Sequence, residues 1–416
     1  MMCGFFFSQK KNGSQSAKLL KHRGPDFHKT YQDDYLQIHN FRLGIVDQNS
    51  KTTHPTFSKS RNTLITFNGE VYNYLELKKK YNLKPLIISE AHVMAEFFDK
   101  FGMKKINELN GMFAFIFYNL KSRKVIFFRD RYGIKPLNYT FINNNIYVSS
   151  EIKPLLDIRN KLGIKNYQIE QDSVINFLFR ARINHDQYTF FKNIHSLTPG
   201  HYLSFDLRDN KYFIKRFYFF KKRKFNNERY ESQLENNIKK KIKLYSITKR
   251  KSGVLLSGGV DSSLISSLLK KSRPNISSFT YGFLGDDEKD FNLNDDIDSS
   301  KQISKELKIK NYHALITPKY IINNFDKILK IMETPFTSIR IFGIYRVYEL
   351  AKSKGFSMIL DGQGGDEAFG GYRHHLEFAN NKYSARKMIK ILDYRNENGF
   401  LKDGKKYIFK NLFSKK

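Results

Sequence analysis

Tryptophan is absent from the 416 residues, cysteine occurs once, and proline occurs nine times. A single Cys excludes an intrachain disulfide and a cysteine-rich zinc site, so Cys3 is either a small buried residue or a reactive thiol. No stretch reaches the roughly 20 consecutive apolar residues of a membrane helix. The apolar start, Met1 to Phe7, lacks the basic leader and the length of a signal peptide. The expectation is a soluble cytoplasmic chain with no membrane partner. Acidic residues are scarce too: 40 Asp and Glu stand against 73 Lys and Arg, a formal charge of +33. That imbalance invites a nucleic-acid partner. The lysines, however, are spread along the whole chain. Their densest runs, Lys78 to Lys80, Lys221 to Lys224 and Lys239 to Lys243, read as solvated surface, and no nucleic-acid partner is expected.

What is present, 40% hydrophobic and 15% aromatic residues, is enough for two or three domains with real cores. The N-terminal half reads as strands at Ile38 to Val46, Thr63 to Phe67, Met112 to Tyr118, Lys124 to Phe128 and Ile146 to Val148, bounded by Asn, Gly and Asp turns. In the first, Phe41, Leu43 and Ile45 share one face and Arg42 takes the other. Glu90 to Phe101 has Val93, Phe97 and Phe101 at helical spacing, with Gly102 as a stop. Mixed strands with few crossovers imply an α+β sandwich. Beyond the basic stretch Lys221 to Arg229 the rhythm changes to strand, turn and helix. Gly253 to Leu256, Ser277 to Phe283 and Phe356 to Leu360 read as strands, Ser262 to Lys270 as a helix. Ile341 to Lys352 reads as a helix with Ile344, Val347, Tyr348 and Ala351 on one face. This alternation predicts a parallel sheet with ligands at the carboxyl ends of its strands.

Two loops and one thiol carry the chemistry. Ser257-Gly258-Gly259-Val260-Asp261-Ser262-Ser263 follows a strand and opens a helix. Its glycines allow a tight turn that aims successive N–H groups at an anion, and the serines and helix N-terminus complete a phosphate cradle. It lacks the Gly-Lys-Ser/Thr ending of a Walker loop, so transfer of a γ-phosphate is not its natural chemistry. Asp361-Gly362-Gln363-Gly364-Gly365-Asp366-Glu367 again follows an apolar strand. It reads as carboxylates for magnesium on a backbone free to approach phosphate, or as an acidic turn capping the next helix. Cys3 at a mature N-terminus would carry its own base, because an α-amino group titrates near neutrality. Arg42, Asn68, Gly69 and Glu70 in the same half suit an amino-acid ligand.

In chain order the sequence holds Cys3-Gly4, His22-Arg23-Gly24-Pro25-Asp26, Arg42-Leu43-Gly44-Ile45-Val46-Asp47, Asn68-Gly69-Glu70-Val71-Tyr72-Asn73, Leu109-Asn110-Gly111-Met112-Phe113-Ala114-Phe115, Arg129-Asp130-Arg131-Tyr132-Gly133-Ile134-Lys135-Pro136-Leu137, Ser149-Ser150-Glu151-Ile152-Lys153, Pro199-Gly200-His201-Tyr202-Leu203, both loops, and Gly370-Gly371-Tyr372. In these strings it resembles the glutamine-dependent asparagine synthetase family. The resemblance implies an α+β N-terminal nucleophile hydrolase sandwich, a glutaminase over 1–205. It also implies a linker over 206–230 and an α/β parallel-sheet ATP-pyrophosphatase domain over 231–416. Cys3 would attack the glutamine amide, with Asn68 and Gly69 on the oxyanion. Arg42 would hold the carboxylate and Glu70 and Glu90 the amino end, with backbone help from Ile45 and Val46. Ammonia would pass inside the protein to a second site. There Leu256, Ser257, Gly258, Gly259, Asp261, Ser262, Ser263, Tyr281, Asp361 and Gly362 would bind ATP, and Asp261 and Asp366 would hold Mg2+. Aspartate would be activated as its acyl-adenylate and leave as asparagine.

Four departures from the family pattern shape further expectations. The chain opens Met1-Met2-Cys3, so an active glutaminase requires a mature protein that begins at Cys3. Ser89-Glu90 stands where the family usually has Ser-Asp, so the pocket for the amino group is expected to be shifted or to bind more weakly. Asp361 and Gln363 stand where asparagine synthetases usually have Ser and Glu, which opens a sugar carboxylate of surface-polysaccharide synthesis as the acceptor. The chain also stops early for the family, which predicts an incomplete synthetase half, a homodimer or a partner chain, or a degenerate member that only binds nucleotide. A tRNA-modifying pyrophosphatase is the remaining alternative, although it would have no need of the glutaminase half.

Overall fold

The computed structural model describes residues 3–165, 167–180, 183, 187–220, 230–284 and 295–371. The basic stretch 221–229, Tyr372 and the tail 402–416 lie outside them, and so does the end of the domain expected over 231–416. Twelve antiparallel strands of the first half form two sheets. One has the order β10-β8-β9-β1-β3-β2, made of β1 Gly4–Ser8, β2 Phe27–Gln32, β3 Gln37–Arg42, β8 Asn138–Ile142, β9 Asn145–Ser149 and β10 His195–Ser196. The other has the order β12-β11-β7-β6-β5-β4, made of β4 Thr56–Phe57, β5 Thr63–Val71, β6 Gly111–Asn119, β7 Lys124–Arg129, β11 His201–Asp206 and β12 Tyr212–Arg216.

Each sheet is covered on both faces, which explains why β1 reads Gly-Phe-Phe-Phe-Ser with no polar alternation. Phe5 and Phe7 point between the sheets, onto Ile116, Phe127 and Leu203. Phe6 points outward, into a layer formed with Leu155 and Ile158 of the helix Lys153–Lys161. The outer face of the second sheet buries Phe67, Phe115 and Phe128 against Val93, Phe97 and Phe98 of the helix Glu90–Phe101. The result is a helix, sheet, sheet, helix sandwich. That helix starts where Ser89 caps it by accepting from His92 N, and it ends at Gly102, as its sequence predicts.

The second half holds four parallel strands in the order β15-β14-β13-β16: β13 Ser252–Leu255, β14 Ser277–Phe283, β15 Lys310–Ile316 and β16 Met358–Leu360. Helices Val260–Ser272 and Asp295–Glu306 cover one face, around Val254 and Leu269, and helix Arg340–Ser353 covers the other, around Phe279 and Val347. The chain steps outward from β13 to β15, then returns to place β16 on the far side of β13. The crevice at that reversal, outside the carboxyl ends of β13 and β16, is where open α/β sheets bind ligands.

Three expectations are corrected. β3 ends at Arg42, so Leu43 and Ile45 lie in a loop and share no strand face with Phe41; the main chain there turns to bond Cys3 and the second half instead. The span 206–230 is not all linker, because β12 pairs residue by residue with β11 and extends the second sheet through Arg216. Helix Arg340–Ser353 buries Phe342, Gly343, Val347 and Ala351, while Tyr348 is 47% exposed rather than on the buried face. Among the described residues, no helix is long and apolar enough to cross a membrane.

Candidate active site

β1 begins one residue after Cys3 and sets it beside the exit of β3. Leu43 N donates to Sγ at 3.3 Å, and Sγ lies 3.6 Å from the Leu43 carbonyl. Burial pushes the thiol pKa up; the Leu43 main chain works against that rise, Glu70 adds to it, and Arg42 and Arg23 oppose it. The thiol is therefore protonated at neutrality and needs a base before it can act as a nucleophile.

Asn68 and Gly69 lie on β5. Asn68 is wholly buried, and among the described residues neither atom of its amide has a hydrogen-bond partner. Such orphaned groups cost about 1–3 kcal/mol each and mark places where a ligand completes the bonding. Gly69 has φ +134°, and a Cβ there would sit 1.9 Å from the Met112 carbonyl oxygen, so only glycine fits. Next on the strand, Glu70 shares a hydrogen bond with Glu90. Burial, then the charge of Glu70, drives the Glu90 pKa well above the carboxylate range, and burial also raises Glu70. Both carboxyl groups are thus driven toward the protonated form, a tendency that an incoming ammonium group would oppose.

Arg42 donates to the main-chain carbonyls of Asp47 at 2.7 Å and Asn49 at 3.1 Å, and its guanidinium lies 4.0 Å from the Asp47 carboxylate. Ile45 and Val46 follow in the same loop, where the Ile45 carbonyl already accepts from Thr248 Oγ1 and Lys249 N of the second half. Cys3, Arg42, Glu70 and Glu90 are thus one electrostatic cluster. Sequence reasoning gave no role to three further members. Arg23 donates to the Cys3 carbonyl at 2.9 Å and to Glu151 at 2.9 Å. Lys135 is buried and feels the charges of Cys3 and Glu70. The wholly buried carboxylate of Asp130 holds the Lys135 loop by accepting from Tyr132, Ile134 and Lys135 N–H groups. The signal was available in the strings His22 to Asp26 and Arg129 to Leu137, whose charged residues were left without work.

At the crevice between β13 and β16 the two glycine loops meet. Ser257 N donates to Ser262 Oγ at 3.2 Å, the two hydroxyls lie 3.1 Å apart, and Ser263 Oγ donates to the Gly259 carbonyl at 2.7 Å. Gly258 has φ +89°, and Gly259 caps the helix Val260–Ser272, so its first-turn N–H groups face the crevice with Asp261 among them. The Asp261 carboxylate lies against the second loop: a Cβ on Gly365 would sit 2.2 Å from Asp261 Oδ2, and one on Gly362 would sit 3.0 Å from Asp261 Cβ. Asp366 follows immediately, and Asp361 Oδ1 accepts from Gln363 N at 3.1 Å. Two carboxylates beside a phosphate cradle suit magnesium, which takes one or two carboxylates and completes its shell with phosphate oxygens and water. Among the described residues, no set of three or more His, Cys, Asp or Glu side chains forms a metal cage. Tyr281, on β14, lies over Gly343, where a Cβ would come within 2.3 Å of its ring, and the charge of Arg340 acts on its hydroxyl. Leu256 is fully buried, its N–H donates to Phe279 and its carbonyl accepts from Thr280 Oγ1, so it supports the loop from beneath.

Residues 2–218 match the family model of the glutamine amidotransferase domain, and residues 233–408 match that of asparagine synthase. The chain belongs to the asparagine synthase family. It is 28% identical over 393 residues to the glutamine-hydrolyzing asparagine synthetase 1 of Bacillus subtilis, covering 90% of this chain and 60% of that one. To a putative glutamine-hydrolyzing asparagine synthetase 2 of Methanocaldococcus jannaschii it is 28% identical over 391 residues, covering 88% of this chain and 73% of that one. The solved glutamine phosphoribosylpyrophosphate amidotransferase of Bacillus subtilis aligns over 77% of this chain and 67% of its own, at 13% identity and a TM-score of 0.38. The chain thus spans 60% of the first relative's length. Family membership accounts for an antiparallel sandwich and a parallel sheet in one polypeptide.

Proposed function

We propose that the chain is a glutamine-dependent carbon–nitrogen ligase that amidates aspartate, with asparagine, glutamate, AMP and pyrophosphate as products. The observation that carries this reading is the meeting of two glycine loops around Asp261 in a chain whose other half holds Cys3 against Leu43 and buries an Asn68 amide that has no partner among the described residues. In the first site Arg42 holds the glutamine carboxylate, and Glu70 with Glu90 takes its ammonium group. Cys3 Sγ bonds to the side-chain amide carbon, and the charge that develops on the carbonyl oxygen falls to the Asn68 amide and the Gly69 main chain. The base is the α-amino group of Cys3, freed by removal of Met1 and Met2. It takes the thiol proton and passes it to the departing nitrogen, which leaves as ammonia, and water then hydrolyses the thioester to glutamate.

In the second site the 257–263 loop would grip the phosphates, Asp261 and Asp366 would hold the magnesium, and Tyr281, Asp361 and Gly362 would border the nucleoside. When bound, Mg-ATP supplies the leaving group that a carboxylate lacks. Pyrophosphate release with aspartate, glutamine and Mg-ATP tests the reading, run beside Cys3→Ala. The expected outcome is activity in the wild type and, in the variant, synthesis with free ammonia but none with glutamine. No pyrophosphate from the wild type with either nitrogen source refutes it. Intact mass checks the base directly: retained Met1 or Met2 in an active enzyme removes the α-amine from the mechanism.

A second reading keeps both half-reactions and changes the acceptor to a sugar carboxylate. It is favoured by Gln363, an uncharged amide beside Asp361 in the second loop. Product analysis with glutamine labelled at its amide nitrogen separates the two.

A further inference from the structure

The segment just ahead of β13 reaches back into the glutamine half. Arg250 Nε donates to the Gly44 carbonyl at 2.8 Å, and its guanidinium pairs with Asp26, whose Oδ2 also accepts from Gly44 N at 2.8 Å. Thr248 Oγ1 and Lys249 N both donate to the Ile45 carbonyl, at 3.0 and 3.1 Å. These donors close on a loop that belongs to neither sheet: β3 has ended at Arg42, and Leu43 N is turned onto Cys3 Sγ. The peptide that walls the thiol is therefore held from one side by Cys3 and from the other by residues some two hundred positions later. The clasp is itself braced. Arg250 N donates to Thr248 Oγ1 at 2.9 Å, Arg273 donates to Ser252 Oγ at 3.0 Å and to the Ser246 carbonyl, and Lys251 Nζ sits 4.2 Å from the centre of the Phe356 ring. Beyond it, the single strand β13 runs to the Ser257 loop.

We propose that Arg250 is a positioning residue for glutamine. With Thr248 and Lys249 it fixes the carbonyls of Gly44 and Ile45, and so sets the main chain beside Cys3, which means that the glutamine pocket is completed by the synthetase half. The inference rests on the reading of that pocket as a glutamine site. Arg250 suits the task because a planar guanidinium can bond a carbonyl and a carboxylate in one fixed fork, which the point charge of lysine cannot do. Loss of the fork leaves the Gly44 carbonyl without its donor and Asp26 without its counter-charge. Arg250 bonds the loop, through the Gly44 carbonyl and Asp26, and neither Cys3 nor Asn68, so the effect falls on glutamine binding.

The test uses the full chain with Arg250→Met, Arg250→Lys and Thr248→Val. Steady-state glutamine hydrolysis, ammonia-dependent pyrophosphate release and amide hydrogen exchange over residues 42–48 are measured for each. For Arg250→Met we expect KM for glutamine to rise about tenfold with kcat within about threefold. Ammonia-dependent activity should be unaltered and exchange in 42–48 faster. Thr248→Val should give a smaller shift in the same direction. Where Arg250→Met melts early, Arg250→Lys, which keeps the stem and the charge, decides. An unchanged KM and unchanged exchange in the variants overturn the proposal while leaving the ligase reading intact. A wild type that hydrolyses no glutamine refutes the glutamine reading instead. The clasp then stands or falls on exchange alone: faster exchange in Arg250→Met supports it, and unchanged exchange overturns it.

Discussion

Glu70 and Glu90 are two carboxylates held in hydrogen-bond contact inside a protein of charge +33, and their geometry has a consequence for stability. In the folded chain Glu90 binds its proton far more tightly than at the ordinary value of 4.5. A carboxyl group with a raised folded pKa supports folding fully below its unfolded pKa and loses that support as pH rises through the folded one. Wild-type stability should therefore fall with rising pH above about 4.5 by an amount absent from Glu90→Gln, whose amide oxygen still accepts from Val71 N and cannot ionise. The readout is the difference between the two unfolding curves, because Glu151, held at about 2 by His22 and Arg23 against the opposing pull of burial, changes stability with the opposite sign in both proteins. The same substitution removes a carboxyl group that could ionise toward the ammonium group of glutamine in the proposed pocket, so KM for glutamine should rise tenfold or more. A variant whose curve runs parallel to the wild type across that range contradicts the raised Glu90 pKa. At this scale Cys3, Arg42, Asn68 and Glu70 were legible because each lies in a string that pairs a chemical residue with glycine. The strings of Arg23, Asp26 and Lys135 also pair a charged residue with glycine, but what those residues touch, like what Arg250 touches, depends on partners far away in sequence.

The turn between β13 and its helix separates two adjacent glycines with different duties. Gly258 has φ +89°, and a Cβ on it would sit 2.3 Å from Cβ of Ser299 in the helix Asp295–Glu306. Gly259 has φ −68°, and a Cβ there would meet only Ser257 Oγ, at 3.4 Å. Gly258→Ala should therefore cost about 1–3 kcal/mol through backbone strain and displaced packing, and it should abolish measurable nucleotide binding in titration calorimetry. Gly259→Ala should change the denaturation midpoint little. Equal effects of the two would mean that the loop is not pinned by the helix behind it. The strand, glycine pair and helix were readable from local pattern alone, as were β14 and the helix Glu90–Phe101 to the residue. β15 escaped notice because, among the described residues, it is an edge strand in which the exposed Lys310 is followed by three half-covered positions in a row, so the period of two is weak. β3 was read too long because its apolar alternation continues past Arg42, where non-local bonds to Cys3 and the second half override propensity.

At the scale of the whole molecule, the two halves are joined by a shared helix terminus as well as by the Arg250 clasp. Ile152, the N-cap of the helix Lys153–Lys161, offers no side-chain acceptor to the first turn. The cap comes from the other half: Glu333, with φ +58° at the end of the helix Pro318–Met332, accepts from Ile152 N and Lys153 N at 2.7 Å each. Its carboxylate lies 3.3 Å from Lys153 Nζ, which also reaches Glu151 at 3.1 Å, and Glu151 pairs with Arg23, which bonds the Cys3 carbonyl. Caps contribute about 0.5–2 kcal/mol, and this one also pairs with Lys153 through a largely covered side chain, so Glu333→Ala should destabilise the chain by about 2–3 kcal/mol. Glu333→Gln, which keeps an acceptor but loses the pairing with Lys153, should cost less. Because the helix that loses its cap is about 180 residues away from the substitution, the site of the damage is diagnostic. Hydrogen exchange should quicken across the first turn of Lys153–Lys161, and a response confined to the neighbourhood of residue 333 would show that the halves stabilise themselves independently. No local pattern could announce such a cap. In the fold, the missing acceptor at Ile152 and the left-handed Glu333 explain each other.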